Sequence, residues 1–352
     1  MDHAGHRWPG VPLAVASAVL FGMSMPIAKV LSSDLPPVAL AGLLYLGSGL
    51  GLLAVTAVRR TRGVIAEAPV RRADLPWLGA VVLAGGVIGP VLLMLGLAAT
   101  PASAASLLLN LEGLFTLAVA WVVFRENVDL RIGLGAAAIL LAAVLLSWTG
   151  QSGGINWGAL AIVGACAAWG IDNNLTRKLS TADPVQLAMI KGLVAGVCNT
   201  ALGLFALPHW PHVGTVVVAM AVGFVGYGVS LVCFILALRH LGTARTGAYF
   251  SFAPFAGASM AVLVLGEPVT LTFIVAAGLM AAGLFLHLAE RHEHEHVHEP
   301  LAHEHRHVHD AHHQHAHGPT DPLEEPHTHG HVHTRLVHSH PHYPDIHHRH
   351  EH

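Results

Sequence analysis

The sequence predicts an all-α polytopic membrane protein: ten transmembrane helices as two inverted five-helix repeats, followed by a disordered C-terminal tail. Three observations lead there. The 352 residues are 53% hydrophobic and 11% charged, with a mean hydropathy of +0.57, far from the balance of a soluble domain. Apolar stretches long enough to cross a bilayer, about 17 to 25 residues each, recur from residue 11 to residue 289. The second half of that region repeats features of the first. Hydrophobicity within each stretch is continuous, whereas barrel strands would alternate in segments of about ten residues.

After a short N-terminal segment (1–10), the spans run over 11–31, 37–58, 75–97, 102–124 and 131–148 in the first repeat. Those of the second run over 155–175, 184–206, 214–238, 243–265 and 269–289. Pro, Gly or charge marks the short loops between them. The first span is not a signal peptide, because its apolar run from Val11 to Val30 exceeds the usual signal core of about 7–15 residues. Cys166, Cys198 and Cys233 lie inside apolar spans without C-x-x-C spacing and read as small buried hydrophobes.

Loop charge sets the orientation, since Lys and Arg are retained on the cytoplasmic side. The linker after span two carries Arg59, Arg60, Arg62, Arg71 and Arg72. Placing it in the cytoplasm also places Arg7, Arg125, Arg131, Arg177, Lys178, Arg239, Arg245 and Arg291 there and leaves only Lys29 outside. Both termini are then cytoplasmic, in a cell (inner) membrane of bacterial type.

The halves correspond. FGMSMPIAKV (Phe21–Val30) matches WGIDNNLTRK (Trp169–Lys178), PPVAL matches DPVQL, and FRENV around Glu126 matches LGEPV around Glu267. The repeats are therefore 11–148 and 149–289. Five helices is an odd number, so the second repeat starts on the opposite side of the membrane. That inversion suits alternating access around a midplane site.

These residues resemble the EamA-type transporters of the drug/metabolite transporter superfamily, over about residues 11 to 289. Trp169-Gly170 with its following basic residue, Pro254, and Gly266-Glu267 match that family's second-repeat pattern. The resemblance implies ten helices and transport of amino acids, nucleosides, drugs or other small metabolites. The first repeat departs from it: Phe21 replaces Trp, Arg125 replaces the Gly before Glu126, and Glu112-Gly113 stands where the second repeat has Ala253-Pro254.

A charge at the bilayer centre is costly and faces a cavity or a partner. Glu112, with Asn110 just before it, is the deepest charge in the chain; it binds a proton or a cationic group, or packs helices as a hydrogen-bonded carboxyl. Asp172 and Lys191 lie at similar depth and are expected to form an ion pair. Asn173 and Asn174 satisfy backbone groups where the helix loosens, or line a polar pocket. Glu126 and Glu267 are expected to sit structurally at the N-termini of their next helices, with Pro268 at a first helical position. The chain has no phosphate-binding loop, hydrolase elbow or H-E-x-x-H. It reads as neither an ATP-driven pump nor an enzyme, and no required cofactor or nucleic acid is expected.

From residue 290 the composition changes: 23 of the 29 histidines lie in 290–352 with no apolar run, a disordered cytoplasmic tail. The candidate metal ligands are His292, His294, His296, His298, His303, His305, His307, His309, His312, His313, His315, His317, His327, His329, His331 and His333. Neutral imidazole binds zinc, nickel, cobalt and copper. Interleaved Glu, Asp, Pro and Val argue against a purification tag.

The leading reading is a secondary exporter of small organic metabolites with a metal-binding regulatory tail. Its partners are the lipid bilayer, a small-molecule substrate and transition-metal ions; a homodimer is compatible with it. The alternatives are a transporter of divalent metal or metal chelate, and a non-transporting metal sensor or store.

Overall fold

The computed structural model describes residues 10–63, 69–124, 130–148, 156–176, 179, 182–205 and 211–288, and in the tail 292–298, 301–307, 327–333 and 336–342. The helices are α1 (Gly10–Leu31), α2 (Pro37–Thr61), α3 (Arg72–Ala99), α4 (Ala102–Leu108), α5 (Leu111–Phe124) and α6 (Leu130–Ser147). The second half holds α7 (Trp157–Thr176), α8 (Pro184–Leu204), α9, α10 (Ala253–Leu265) and α11 (Leu271–Leu288). The long α9 runs from Val213–Val222 through a π-helical stretch, Gly223–Val229, into Ser230–Phe250.

Among the described residues, seven helices are long and apolar enough to cross a membrane. Helix α7 falls outside that set, its hydropathy lowered by Asp172, Asn173 and Asn174.

The predicted span boundaries change in two places. Span four breaks at Leu109–Asn110 into α4 and α5. Spans eight and nine are joined by residues that keep helical hydrogen bonding through Arg239–Arg245, but the chain turns back between them, because Phe234 and Phe250 lie 4.9 Å apart where one straight helix would separate them by about 24 Å; a further interruption follows at Ser251–Phe252. The two breaks sit at corresponding places in the repeats, next to Glu112 in one and Pro254 in the other.

The first helix of each repeat packs into the other repeat. Helix α1 lies against α9 and α10, and α7 against α3 and α5. Helix α2 runs antiparallel to α8, where a β-carbon on Gly49, Gly192 or Gly196 would overlap the facing backbone. Close backbone approach gives the van der Waals contact that must hold helices together in lipid, where apolar burial drives little. Pro37 and Pro184 begin these two helices, a position where the missing N–H costs nothing. Gly266 ends α10 at φ 67°, the left-handed conformation that glycine enters without strain.

Lys29 at the end of α1 donates to the carbonyls of Leu97 (2.6 Å), Ala98 (3.2 Å) and Thr100 (2.9 Å) at the end of α3. On the opposite face, the Val70 amide donates to Gln186 Oε1 at the start of α8, at 3.0 Å. Both ends of the helical region therefore lie on the face of the Arg59–Arg72 linker, called here the terminal face.

In the tail, β1 (His292–His298) pairs antiparallel with β4 (Leu336–His342), and β2 (Leu301–His307) with β3 (His327–His333). The H-x-H alternation has the two-residue period of a strand, so the backbone can pair without an apolar core.

Candidate functional site

The site begins with a defect in a helix. In α3 the seven residues Val82–Ile88 are π-helical, and the Gly89 amide donates to Ala84 O instead of Gly85 O. Pro90 follows, and it has no N–H to offer to Gly85 or Gly86. The Gly85 carbonyl is thus left without a helical donor and the Gly86 carbonyl without its usual one, a costly state in lipid. Side chains from three other helices answer them. Gly85 O accepts from the Tyr45 hydroxyl of α2 at 2.8 Å and the Trp169 indole of α7 at 3.0 Å, and Gly86 O accepts from Asn199 Nδ2 of α8 at 2.9 Å.

Next to this junction the Lys191 ammonium of α8 pairs with Asp172 Oδ2 of α7. Thr176 Oγ1 donates to the other oxygen, Oδ1, at 3.2 Å. The Asp172 carboxylate occupies the space that a β-carbon on Gly85 would need. Asp172 is 4% exposed, so its charge is answered inside the protein.

Glu112 enters from the start of α5, where the break after Asn110 brings it to the cavity wall. Asn173 Nδ2 donates to Glu112 Oε1 at 2.8 Å and lies 3.2 Å from Thr116 Oγ1.

These groups line a cavity of about 130 Å³. Its wall also includes Phe21, Tyr227, Phe234 and Phe250, with Ser17, Ser48 and Ser230. The rings form a continuous shell: Phe21 lies 6.3 Å from Trp169, 5.6 Å from Tyr227 and 5.6 Å from Phe250, centroid to centroid. Ser17 Oγ donates to Ser230 O at 2.7 Å, tying α1 to α9.

Not every sequence candidate comes together here. Glu112, Asp172, Asn173, Lys191 and Trp169 line the cavity. Asn110 is buried and closes the helix break, donating to Leu107 O at 2.9 Å. Asn174 ties α7 to α5 through Thr116 O at 3.1 Å. Gly170 allows that crossing, since a β-carbon there would meet the Phe115 backbone at 2.8 Å. Pro254 is buried in the first turn of α10.

Glu267 does not serve its own next helix, and Pro268 is not a first helical residue: residues 266–270 are non-helical before α11. Its oxygens accept from the Ala102 and Ser103 amides, at 2.7 and 2.9 Å, capping α4 of the other repeat. Glu126 lies outside the described residues, as do His309, His312, His313, His315 and His317.

Sequence reasoning missed Tyr45, Tyr227, Phe21 and the π-helical stretch. The available signals were two tyrosines in mid-span and the GGVIGP run ending in Pro90.

Both repeats carry the π-helical stretch, seven residues each, Val82–Ile88 and Gly223–Val229. The fourth residue is glycine in each, Gly85 against Asp172 and Gly226 against Ser24. A shared defect, exchanged first helices and one cavity between the halves describe a duplicated, inverted membrane fold.

Residues 8–148 and 156–289 each match the EamA-like transporter family. The chain belongs to that family. It is 28% identical over 296 residues to an uncharacterized transporter of Methanothermobacter thermautotrophicus, an alignment covering 77% of this chain and 84% of that one. A protein of known crystal structure shares the fold at a TM-score of 0.60 and 17% identity, covering 79% of this chain and 98% of its own. This EamA-like chain is thus an integral membrane transporter of the drug/metabolite type.

Proposed function

We propose that the chain is a secondary exporter of small organic metabolites, working by alternating access between its two repeats, with a tail that binds transition metal and regulates flux. The observation that carries this reading is the cavity between the repeats, where Glu112 and the Asp172–Lys191 pair meet an aromatic wall.

Its lining comes largely from parts of the helices nearer the terminal face, among them Ser17, Asp172, Ala188 and Lys191. The opposite face is tied shut by Lys29 and Glu267. With both termini in the cytoplasm, as loop charge favours, the cavity loads from the cytoplasm, which supports export. Labelling of a tail cysteine by an impermeant reagent in intact cells would overturn that orientation.

Passage of bare metal has less support, since no group of three or more His, Cys, Asp or Glu able to hold a metal occurs among the described residues. The test is proteoliposome flux of radiolabelled amines and amino acids against nickel, cobalt and zinc, with and without residues 290–352. Flux of an organic solute that survives truncation supports the proposal. Metal flux alone overturns it.

A further inference from the structure

The cavity's chemistry narrows the solute. Its one cation among the lining residues, Lys191, is already committed to Asp172. Glu112 forms no ion pair of its own among the described residues, the cation that reaches it being the already paired Lys191; Oε1 accepts from the neutral Asn173 amide, and among the described residues no donor to Oε2 is seen. An ionised Glu112 therefore leaves the described lining residues with one net negative charge. Tyr227 also lines the cavity, and its buried hydroxyl, next to Ser24, makes no hydrogen bond of good geometry among the described residues. Around both stand the rings of Phe21, Tyr45, Trp169, Phe234 and Phe250.

Each class of solute meets this wall differently. A carboxylate would face Glu112 and Asp172 with no free cation among the described lining residues to receive it, so anions are disfavoured and a zwitterion gains at one end what it loses at the other. A neutral alcohol would fill the space but leave Glu112 without a charge partner. An ammonium group answers Glu112 by a charge-assisted hydrogen bond, rests against ring faces that attract cations, and offers a donor to the Tyr227 oxygen. Its apolar body fits the aromatic shell.

Resting on the transport reading above, we infer that the cavity is a binding site for a small monocationic amine with an apolar or aromatic arm and no carboxylate. Glu112 is the charge-recognising residue, and Tyr227 supplies a second polar contact. A proton is the other monocation that Glu112 can hold, so amine binding displaces it when the carboxyl is protonated.

The experiment measures binding to the detergent-purified full chain by calorimetry, without transport. The probes are phenethylamine, phenethyl alcohol, phenylacetate and phenylalanine, which share one ring and differ in charge. Phenethylamine is expected to bind roughly tenfold or more tightly than the other three. Glu112→Gln should remove that preference, bringing the amine to the level of the alcohol, and Tyr227→Phe should weaken the amine a few-fold. Equal or tighter binding of phenylalanine or phenylacetate overturns the inference, as does absence of binding by every probe. Unchanged amine affinity in a folded Glu112→Gln protein does the same. If that variant does not fold, the probe series on the unaltered chain still decides. Amine binding without flux of any organic solute would instead defeat the transport reading and leave the site standing.

Discussion

Tyr45 and Trp169, from different repeats, donate to the same acceptor, the Gly85 carbonyl, at 2.8 and 3.0 Å. The acceptor is free because α3 slips into a π-helical register just before Pro90, so a backbone irregularity in one repeat is held by an indole from the other. Movement of the repeats against each other must strain or exchange these bonds. Under the alternating-access proposal, the π-helical stretch thus sits where the two halves would communicate.

That sharing predicts strong non-additivity. Tyr45→Phe or Trp169→Phe alone leaves Gly85 O with one donor, and each should cost at most about 1 kcal/mol. The double variant orphans the carbonyl in a water-poor interior and should cost about 1–3 kcal/mol beyond the sum. Thermal unfolding in detergent measures it; simple additivity would mean that the carbonyl finds another donor.

Gly85→Ala should be worse than Gly226→Ala. The new methyl at Gly85 enters the space of the Asp172 carboxylate, which Lys191 and Thr176 hold, whereas at Gly226 it approaches Ser24 Cβ at 2.7 Å. Overpacking costs about 1–3 kcal/mol, and Gly85→Ala should reach the upper part of that range while lowering flux. Similar melting temperatures for the two variants would show that Asp172 moves aside freely.

The helical membrane fold, the inversion and the depth match of Asp172 with Lys191 were legible because apolar run length, loop charge and polar residues in lipid carry strong penalties. The breaks at Asn110 and Ser251 were not, since a membrane helix interrupted inside protein keeps its apolar composition. Glu267 was assigned to its neighbour in sequence, but the amides it caps belong to Ala102 and Ser103, more than 160 residues away. Position along the chain shows that a carboxylate needs a helix end; it does not show which one. Tyr227 and Phe21 were hidden for a related reason, because an aromatic residue on an apolar helix looks the same whether it faces lipid or a cavity.

Lys29 and Glu267 hold the two sides of the Thr100–Pro101 break, one on the carbonyls ending α3 and the other on the amides starting α4. Lys29→Met and Glu267→Ala should loosen that face. An Ala28→Cys reporter, fully buried in the parent, should react faster with an impermeant thiol reagent in either background. No change in labelling rate would leave the clamp a purely local cap.

Asp172 and Lys191 should show coupled energetics. Asp172→Asn strands a buried ammonium and Lys191→Met a buried carboxylate, each costing about 3 kcal/mol if the cavity stays dry. The double variant removes both charges and should recover much of that loss. A double-mutant cycle on thermal stability gives the coupling, and a sum of singles equal to the double would mean that water already screens the pair. Flux separates structure from chemistry: a double variant that is stable yet inactive would make the pair part of the transport cycle.

The tail should bind transition metal independently of the cavity and tune transport without forming its path. The chain after residue 289 holds 23 histidines, with eleven Asp and Glu against four Arg, a donor-rich and net acidic segment. Binding needs neutral imidazole, whose ordinary pKa is about 6.5. Protonation removes the ligand, so affinity should be high above about pH 7 and fall steeply toward pH 5.5. Where geometry selects no particular metal, imidazole sites prefer copper over nickel or zinc, and that order is expected here. Calorimetry on the full chain and on the chain truncated after residue 289 isolates the tail's contribution. If truncation abolishes flux of every solute in a folded protein, the tail belongs to the transport route; loss of metal sensitivity alone makes it a regulator.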